Sequence, residues 1–224
     1  PAYLEYFENG QKKLEKWYLN GKLDRKSEIN GKFYRDREPV YLEYFENSQK
    51  KLEKWYLNGE LHRDRKDGPA YLEWFDNGQK KLEQWFENDK LHSFAACTEH
   101  NNHIEPAYLE YFENGQKKLE QWYINNRRHR NREPAYLEYF ENGQKKLEKW
   151  YLNGKLDRKS EINGKFYRDR EPVYLEYFEN SQKKLEKWYL NGELHRDRKD
   201  GPAYLEWFDN GQKKLEQWFE NDKL

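Results

Sequence analysis

Residues 1–23 read PAYLEYFENGQKKLEKWYLNGKL, and the way this stretch folds decides the fold of the whole chain. Two Asn-Gly dipeptides, Asn9-Gly10 and Asn20-Gly21, stand eleven positions apart. Asn-Gly accepts positive φ at both central positions of a two-residue type I′ turn, so each dipeptide predicts a β-hairpin. Turns this close together leave no room for a helix of useful length. The stretches AYLEYF and KKLEKWYL have strand lengths and are rich in aromatic residues that favour strands. Lys22 onward is expected to run through the next proline into the following block, bent there by Pro and the preceding Glu38 or Gly68.

Outward from this stretch the chain is repetition. All seven prolines, Pro1, Pro39, Pro69, Pro106, Pro134, Pro172 and Pro202, open a version of the same block, at spacings of 38, 30, 37, 28, 38 and 30 residues. A larger period lies above it, since residues 1–91 recur unchanged as residues 134–224. The expected organisation is therefore a four-repeat superunit over 1–133 and a second, partial one over 134–224. Because Leu224 is the counterpart of Leu91, the expectation is a window from a longer array. The insertions at 24–37, with an Asn30-Gly31 turn of its own, and at 92–105 are expected to interrupt the sheet as added strands or loops.

A two-residue loop at Asn9-Gly10 would place Phe7 opposite Lys12, Glu5 opposite Leu14 and Tyr3 opposite Lys16, with Tyr18 and Leu23 on the same face. The other face would pair Tyr6 with Lys13, Leu4 with Glu15 and Ala2 with Trp17, and would add Leu19. Neither face is cleanly apolar, which excludes a sandwich needing one dry face per sheet. The predicted fold is all-β, an elongated single-layer twisted antiparallel meander of tandem hairpin repeats. Diagonal pairs of Glu5 with Lys12 and Lys16 should help to hold it, each contributing roughly 0.2–1 kcal/mol, so stability has to accumulate over many repeats.

Composition agrees. Hydrophobic residues make up 35% of the chain and charged residues 38%, yet 18% are aromatic, a balance fitting neither an ordinary globule nor a disordered polyelectrolyte. Forty-two basic and 42 acidic side chains cancel, removing the electrostatic case for nucleic acid. One cysteine cannot form an internal disulfide. No apolar run approaches the roughly 18 residues of a membrane-spanning helix.

The segments YFENGQ and WYLNGK, repeated along nearly the entire chain, resemble a variant of the MORN repeat, a family of Tyr- and Gly-rich hairpin units. The resemblance implies an elongated single-layer meander acting as a scaffold, a dimerisation strip or a membrane-proximal adaptor. This chain departs from the family pattern in lacking the glycine between the aromatic positions, where Glu15 and Lys16 stand.

Candidate chemistry is sparse. Cys97, His100 and His103, with His92 nearby, could offer zinc a thiolate and imidazoles, but the spacing gives no second cysteine, and a solvated loop is the reading. His62, His92, His129 and His195 share one repeat position, which points to a structural role. Lysine doublets such as Lys12-Lys13, Lys50-Lys51 and Lys117-Lys118, and the run RRHRNR at 127–132, could meet anions. Each doublet is nonetheless flanked by glutamates across its hairpin, so pairing within the sheet is expected. No nucleophile–base set, acid pair in a pocket or phosphate loop is legible, so no enzyme and no cofactor is expected.

What stands out is an aromatic and aliphatic face: Tyr3, Phe7, Leu14 and Tyr18, repeated as Tyr41, Phe45, Leu52 and Tyr56, as Tyr71, Phe75, Leu82 and Phe86, and as Tyr108, Phe112, Leu119 and Tyr123. Its expected partner is another copy of the chain, giving a multimer or filament, or a different protein. Anionic lipid head groups at a membrane and stacked sugars are the alternatives.

Overall fold

The first hairpin of each block closes differently from a two-residue turn. Phe7 N–H donates to Gln11 O at 2.9 Å and Gly10 N–H to Phe7 O at 3.0 Å, which leaves the three-residue loop Glu8–Gly10 with Gly10 at φ 81°. Asn9 steadies it by accepting Gln11 N–H on its side chain. A loop of this kind adds one residue to one strand. Tyr3 opposite Lys16, Leu4 opposite Glu15 and Glu5 opposite Leu14 are as expected, but Tyr6 faces Lys12 rather than Lys13. The same slip recurs in the other first hairpins that are described, for example at Tyr44, Trp74, Tyr139, Tyr177 and Trp207.

The slip exchanges the two lysines between faces. Lys13 reaches Glu5 at 2.6 Å, while Lys12 turns to Glu15 at 3.2 Å. The expected pairs Phe7 with Lys12, Tyr6 with Lys13 and Glu5 with Lys12 are thereby corrected, since a bulge residue reverses the alternation beyond it.

The second hairpin matches its signal. Asn20 and Gly21 have φ of 51° and 75°, and Leu19 pairs with Lys22 and Tyr18 with Leu23. It does not, however, run on into the next block. These two-residue strands form small sheets of their own, so the reading of one long strand bent at proline is corrected. The backbone of Trp17 explains the separation: its N–H donates to Val40 O in the next block while its C=O accepts Asp24 N–H, which folds the short hairpin back at the strand end.

This computed structural model describes residues 1–24, 38–93, 105–158 and 171–224, together with the backbone of strands Lys26–Ile29, Lys32–Arg35, Lys159–Ile162 and Lys165–Arg168. Contacts divide the chain into two units, Pro1–Gln116 and Lys117–Leu224. The first carries seven long strands in chain order: Tyr3–Tyr6, Lys12–Lys16, Tyr41–Tyr44, Lys50–Lys54, Tyr71–Trp74, Lys80–Gln84 and Tyr108–Tyr111. The second carries Lys117–Gln121, Tyr136–Tyr139, Lys145–Lys149, Tyr174–Tyr177, Lys183–Lys187, Tyr204–Trp207 and Lys213–Gln217. Within each unit every strand pairs antiparallel with its sequence neighbours, an open meander of tandem hairpin repeats.

The insertions do not interrupt this order. Leu14 faces Glu43 across the first insertion and Leu82 faces Glu110 across the second, the same register as Leu52 with Glu73 where there is none. The expected break is therefore corrected: the flanking strands pair in the same register across both insertions. The 24–37 insertion adds a separate hairpin, Lys26–Ile29 with Lys32–Arg35.

Core residues gather where the strands end. Val40, Ala70, Ala107, Ala135, Val173 and Ala203, each following a proline, are buried, as are Trp55, Trp122, Trp150 and Trp188. In the second unit Trp150, Val173 and Leu175 pack together with Leu156, Tyr177 and Tyr189 against them.

Two blocks carry Asn-Ser in place of the first Asn-Gly, and Ser48 and Ser181 sit at φ 65°, a region costly to any residue with a Cβ. No atom beyond its own chain neighbours approaches within 4 Å of a Cβ built at the equivalent Gly10. Ser48→Gly is expected to raise stability by about 1 kcal/mol, read as a higher urea midpoint, and an unchanged midpoint would contradict the strain argument.

Candidate interaction surface

The structure brings three of the four expected rows onto one face of the sheet. Tyr3, Tyr41, Tyr71 and Tyr108 lie in one row in the first unit, alternating with Lys16, Lys54 and Gln84. Leu14, Leu52 and Leu82 lie in the adjacent row, alternating with Glu5, Glu43, Glu73 and Glu110. Leu119 holds the same position in the second unit, opposite Glu138. Phe7, Phe45 and Phe75 mark the turn end of this face, each beneath a bulge lysine, Lys13, Lys51 or Lys81, at 5.9 Å; Phe112 occupies the equivalent turn. Tyr18, Tyr56, Phe86 and Tyr123 instead sit in the short hairpins.

The rows are not bare apolar surface. Lys16 Nζ lies over both Tyr3 and Tyr41, 5.2 and 5.1 Å from their ring centres, and Lys54 lies over Tyr41 and Tyr71 at 4.8 and 5.2 Å. Lys149 and Lys187 bridge Tyr136, Tyr174 and Tyr204 in the same way in the second unit. Each ammonium is shared between the negative faces of two rings. Lys51 and Lys81 pair with Glu43 and Glu73 beside the leucine row.

The opposite face depends on a buried acid. Glu15, Glu53, Glu83, Glu120, Glu148 and Glu186 are only 5–6% exposed, set between leucines such as Leu42, Leu72 and Leu109. Burying a carboxylate is costly unless it is paired and hydrogen-bonded. Each is met by the lysine three positions earlier, at 2.5–3.2 Å. In four blocks the next repeat supplies a hydroxyl as well: Tyr44 donates to Glu15, Tyr111 to Glu83 and Tyr139 to Glu120 at 2.7 Å, and Tyr177 to Glu148 at 2.8 Å. Trp74 and Trp207 occupy the tyrosine position beside Glu53 and Glu186.

Sequence reading missed an arginine clamp. Arg63 lies over Trp55 at 3.8 Å and donates to Pro69 O at 3.1 Å. Arg130 over Trp122, Arg158 over Trp150 and Arg196 over Trp188 repeat the arrangement, donating to Pro134, Pro172 and Pro202. One side chain thus ties the end of one block to the proline opening the next. The signal was present as an arginine eight residues after each of these tryptophans, at varying distances from the following proline. Burial pulls Arg63, Arg130 and Arg196 below the usual guanidinium range, and Glu133, which pairs with Arg130, opposes this.

The recurrent histidines have a structural task. His62, His129 and His195 accept, on Nδ1, the N–H of Asn88, Asn153 and Asn221 in the following short hairpin, and Asp24 does the same for Asn58. Of the basic run, Arg130 is taken by the clamp, and Arg128 lies 5.5–5.8 Å from the rings of Tyr123, Tyr136 and Tyr151 while donating to Gln121. Cys97, His100 and His103 lie outside the described residues, and among the described residues no group of three or more potential ligands could hold a metal ion.

No model of a known protein family matches this chain, and no curated protein matches it. The architecture is that of tandem antiparallel hairpin repeats in a meander.

Two outcomes are expected. Arg63→Ala should lower stability by about 1–2 kcal/mol, and Arg63→Lys should recover only part of it, because a lysine lacks the flat fork that stacks and donates together; full recovery in urea unfolding would reduce the clamp to simple charge. Burial first, and neighbouring carboxylates second, raise Tyr41, Tyr44, Tyr71, Tyr139 and Tyr177 above the ordinary phenol value, and push Tyr174 up to about 12. The folded chain therefore holds protons that the unfolded chain releases from about pH 10. Stability is expected to be intact below that value and to fall as pH climbs toward 12, with phenolate absorbance appearing together with unfolding. Phenolate forming at pH 10 with the fold intact would contradict the assignment.

Proposed function

We propose that this chain is a non-enzymatic structural protein, a scaffold of MORN-like hairpin repeats that associates with copies of itself into multimers. One observation carries the reading: successive hairpins join in one register whatever the length of chain between them. The facing residues of the inner row are 15 positions apart at Gln121 and Tyr136, 17 at Lys54 and Tyr71, and 25 at Lys16 and Tyr41. A junction indifferent to its connection is a docking surface in its own right, and such a surface can join separate chains as it joins hairpins.

The remaining features fit a structural role. The buried acids recur in six of the seven blocks, each held by a lysine and four also by a tyrosine, whereas a catalytic acid would stand apart from its repeats. The exposed rings are bridged by lysines, which keeps a single-layer sheet soluble without a second layer.

Sedimentation of the 224-residue chain over a hundredfold concentration range tests the proposal. Mass rising with concentration is expected, with little change from low to moderate salt. A monomer throughout that binds anionic vesicles in a salt-sensitive manner, or sugars with tryptophan quenching, would replace it with the lipid-adaptor or carbohydrate reading.

A further inference from the structure

A rail of rings and ammoniums crosses the strands of the second unit. Tyr136, Lys149, Tyr174, Lys187 and Tyr204 stand opposite one another in turn on successive strands, and all are half-buried. Tyr174 carries two ammoniums, Lys149 at 5.1 Å and Lys187 at 4.9 Å from its ring centre, one from each neighbouring strand. Lys16, Tyr41, Lys54 and Tyr71 repeat the arrangement in the first unit. Where a strand reads KKLEQ instead of KKLEK, Gln84 takes the place of lysine between Tyr71 and Tyr108, and the charge stops.

The rail holds more positive charge than its surroundings use. In the adjacent row Glu138, Glu176 and Glu206 are taken by Lys146, Lys184 and Lys214 at 2.6–3.0 Å, and among the described residues no carboxylate makes an ion pair with Lys149 or Lys187. Arg128 adds a third cation, 5.5 Å from the ring of Tyr136. Burial first and Arg128 second pull Lys149 below the usual ammonium range, and Lys187 adds to this while Glu138 and Glu176 oppose it. A cation crowded in this way is stabilised by an anion laid over it. The rings are fixed in advance, since Tyr136 donates to Glu138 at 3.2 Å and Tyr41 to Glu43 at 2.5 Å, which lowers the cost of ordering them on binding.

The spacing of the rail selects the conformation of what fits it. Strands lie about 4.8 Å apart, so like positions on every second strand recur at about 9.6 Å. A polyproline II helix, with three residues per turn at about 3.1 Å each, recurs at about 9.3 Å. A β-strand returns to one face about every 6.7 Å, and two turns of α-helix span about 10.8 Å, so neither keeps step. We propose that the rail docks an acidic polyproline II segment of a partner protein, one carboxylate per turn entering between consecutive tyrosines to meet Lys149 and then Lys187, with the prolines of each turn against the rings. Aromatic surfaces suit such segments because a preformed helix has little conformational entropy left to lose. A second copy of this chain does not supply the segment, since its prolines stand 28–38 residues apart. The proposal goes beyond self-association and does not rest on it, because each rail lies within one unit.

The test is titration calorimetry of the full chain with a synthetic peptide of about nine residues, about three polyproline II turns, carrying glutamate at every third position and proline at the others. A comparison peptide has the same composition with its glutamates moved to consecutive positions. The periodic peptide is expected to bind about tenfold more tightly than the comparison, and to weaken with salt. Lys149→Gln with Lys187→Gln should remove the rail of the second unit and halve the number of peptides bound, and the repeat already carries glutamine at this position in Gln84. Lys199→Gln, at an exposed lysine in the Arg198–Asp200 turn, should change nothing. Equal affinity for the two peptides, or an equal loss from Lys199→Gln, would reduce the rail to bulk charge and overturn the proposal. An unchanged number of peptides bound by the double variant would place the peptide elsewhere and overturn it as well. No binding of the periodic peptide would also overturn it, and phosphatidylserine vesicles that then bind the chain but not the double variant would assign the rail to a membrane surface.

Discussion

A carboxylate held almost out of water in six of the seven KKLE strands is the constraint on which the described sheets depend. A sheet without a covering layer has no apolar interior for its strands to seek, so it must make its own, and here leucine and glutamate alternate across the strands. The leucines supply the burial and the glutamates supply the specificity, because each acid has to be met from two directions. The lysine comes from the same strand and the tyrosine from the next repeat. Four of the six buried acids therefore bind neighbouring repeats into one unit, and a slipped register would leave a buried charge without its hydroxyl.

The bulge after each first turn makes that arrangement possible. It splits the lysine doublet, sending Lys12 to Glu15 on one face and Lys13 to Glu5 on the other. Adjacent lysines on a regular strand would already point to opposite faces, but with the roles exchanged. The extra residue decides which acid each one meets.

Much of this was legible. Proline spacing, the Asn-Gly pairs and the lack of a dry face led to the meander, and the counting of strand pairs nearest Tyr3 and Leu4 held. What failed was local. Asn9-Gly10 and Asn20-Gly21 look alike, yet only the second closes as a two-residue loop. A hint lay in the variants: Asn-Asp and Asn-Asn at 88–89 and 125–126 are residues that tolerate a left-handed backbone, while Asn-Ser at 47–48 belongs to a loop whose asparagine side chain stabilises it directly. The arginine clamp went unread because its partners, a tryptophan behind and a proline carbonyl ahead, meet only when the short hairpin folds back. The interaction face was legible as a set of rows, but the lysines over its rings depend on cross-strand placement.

Because every described pairing joins sequence neighbours, no contact in the main sheets needs a distant segment to arrive first. The cost of closing each loop is small and nearly equal from one junction to the next. Such a chain can begin to fold at any hairpin and grow outward like a zipper, with local contacts favouring speed. A nascent chain can consolidate each hairpin as it emerges, and tension on the ends would release the repeats one at a time rather than all at once.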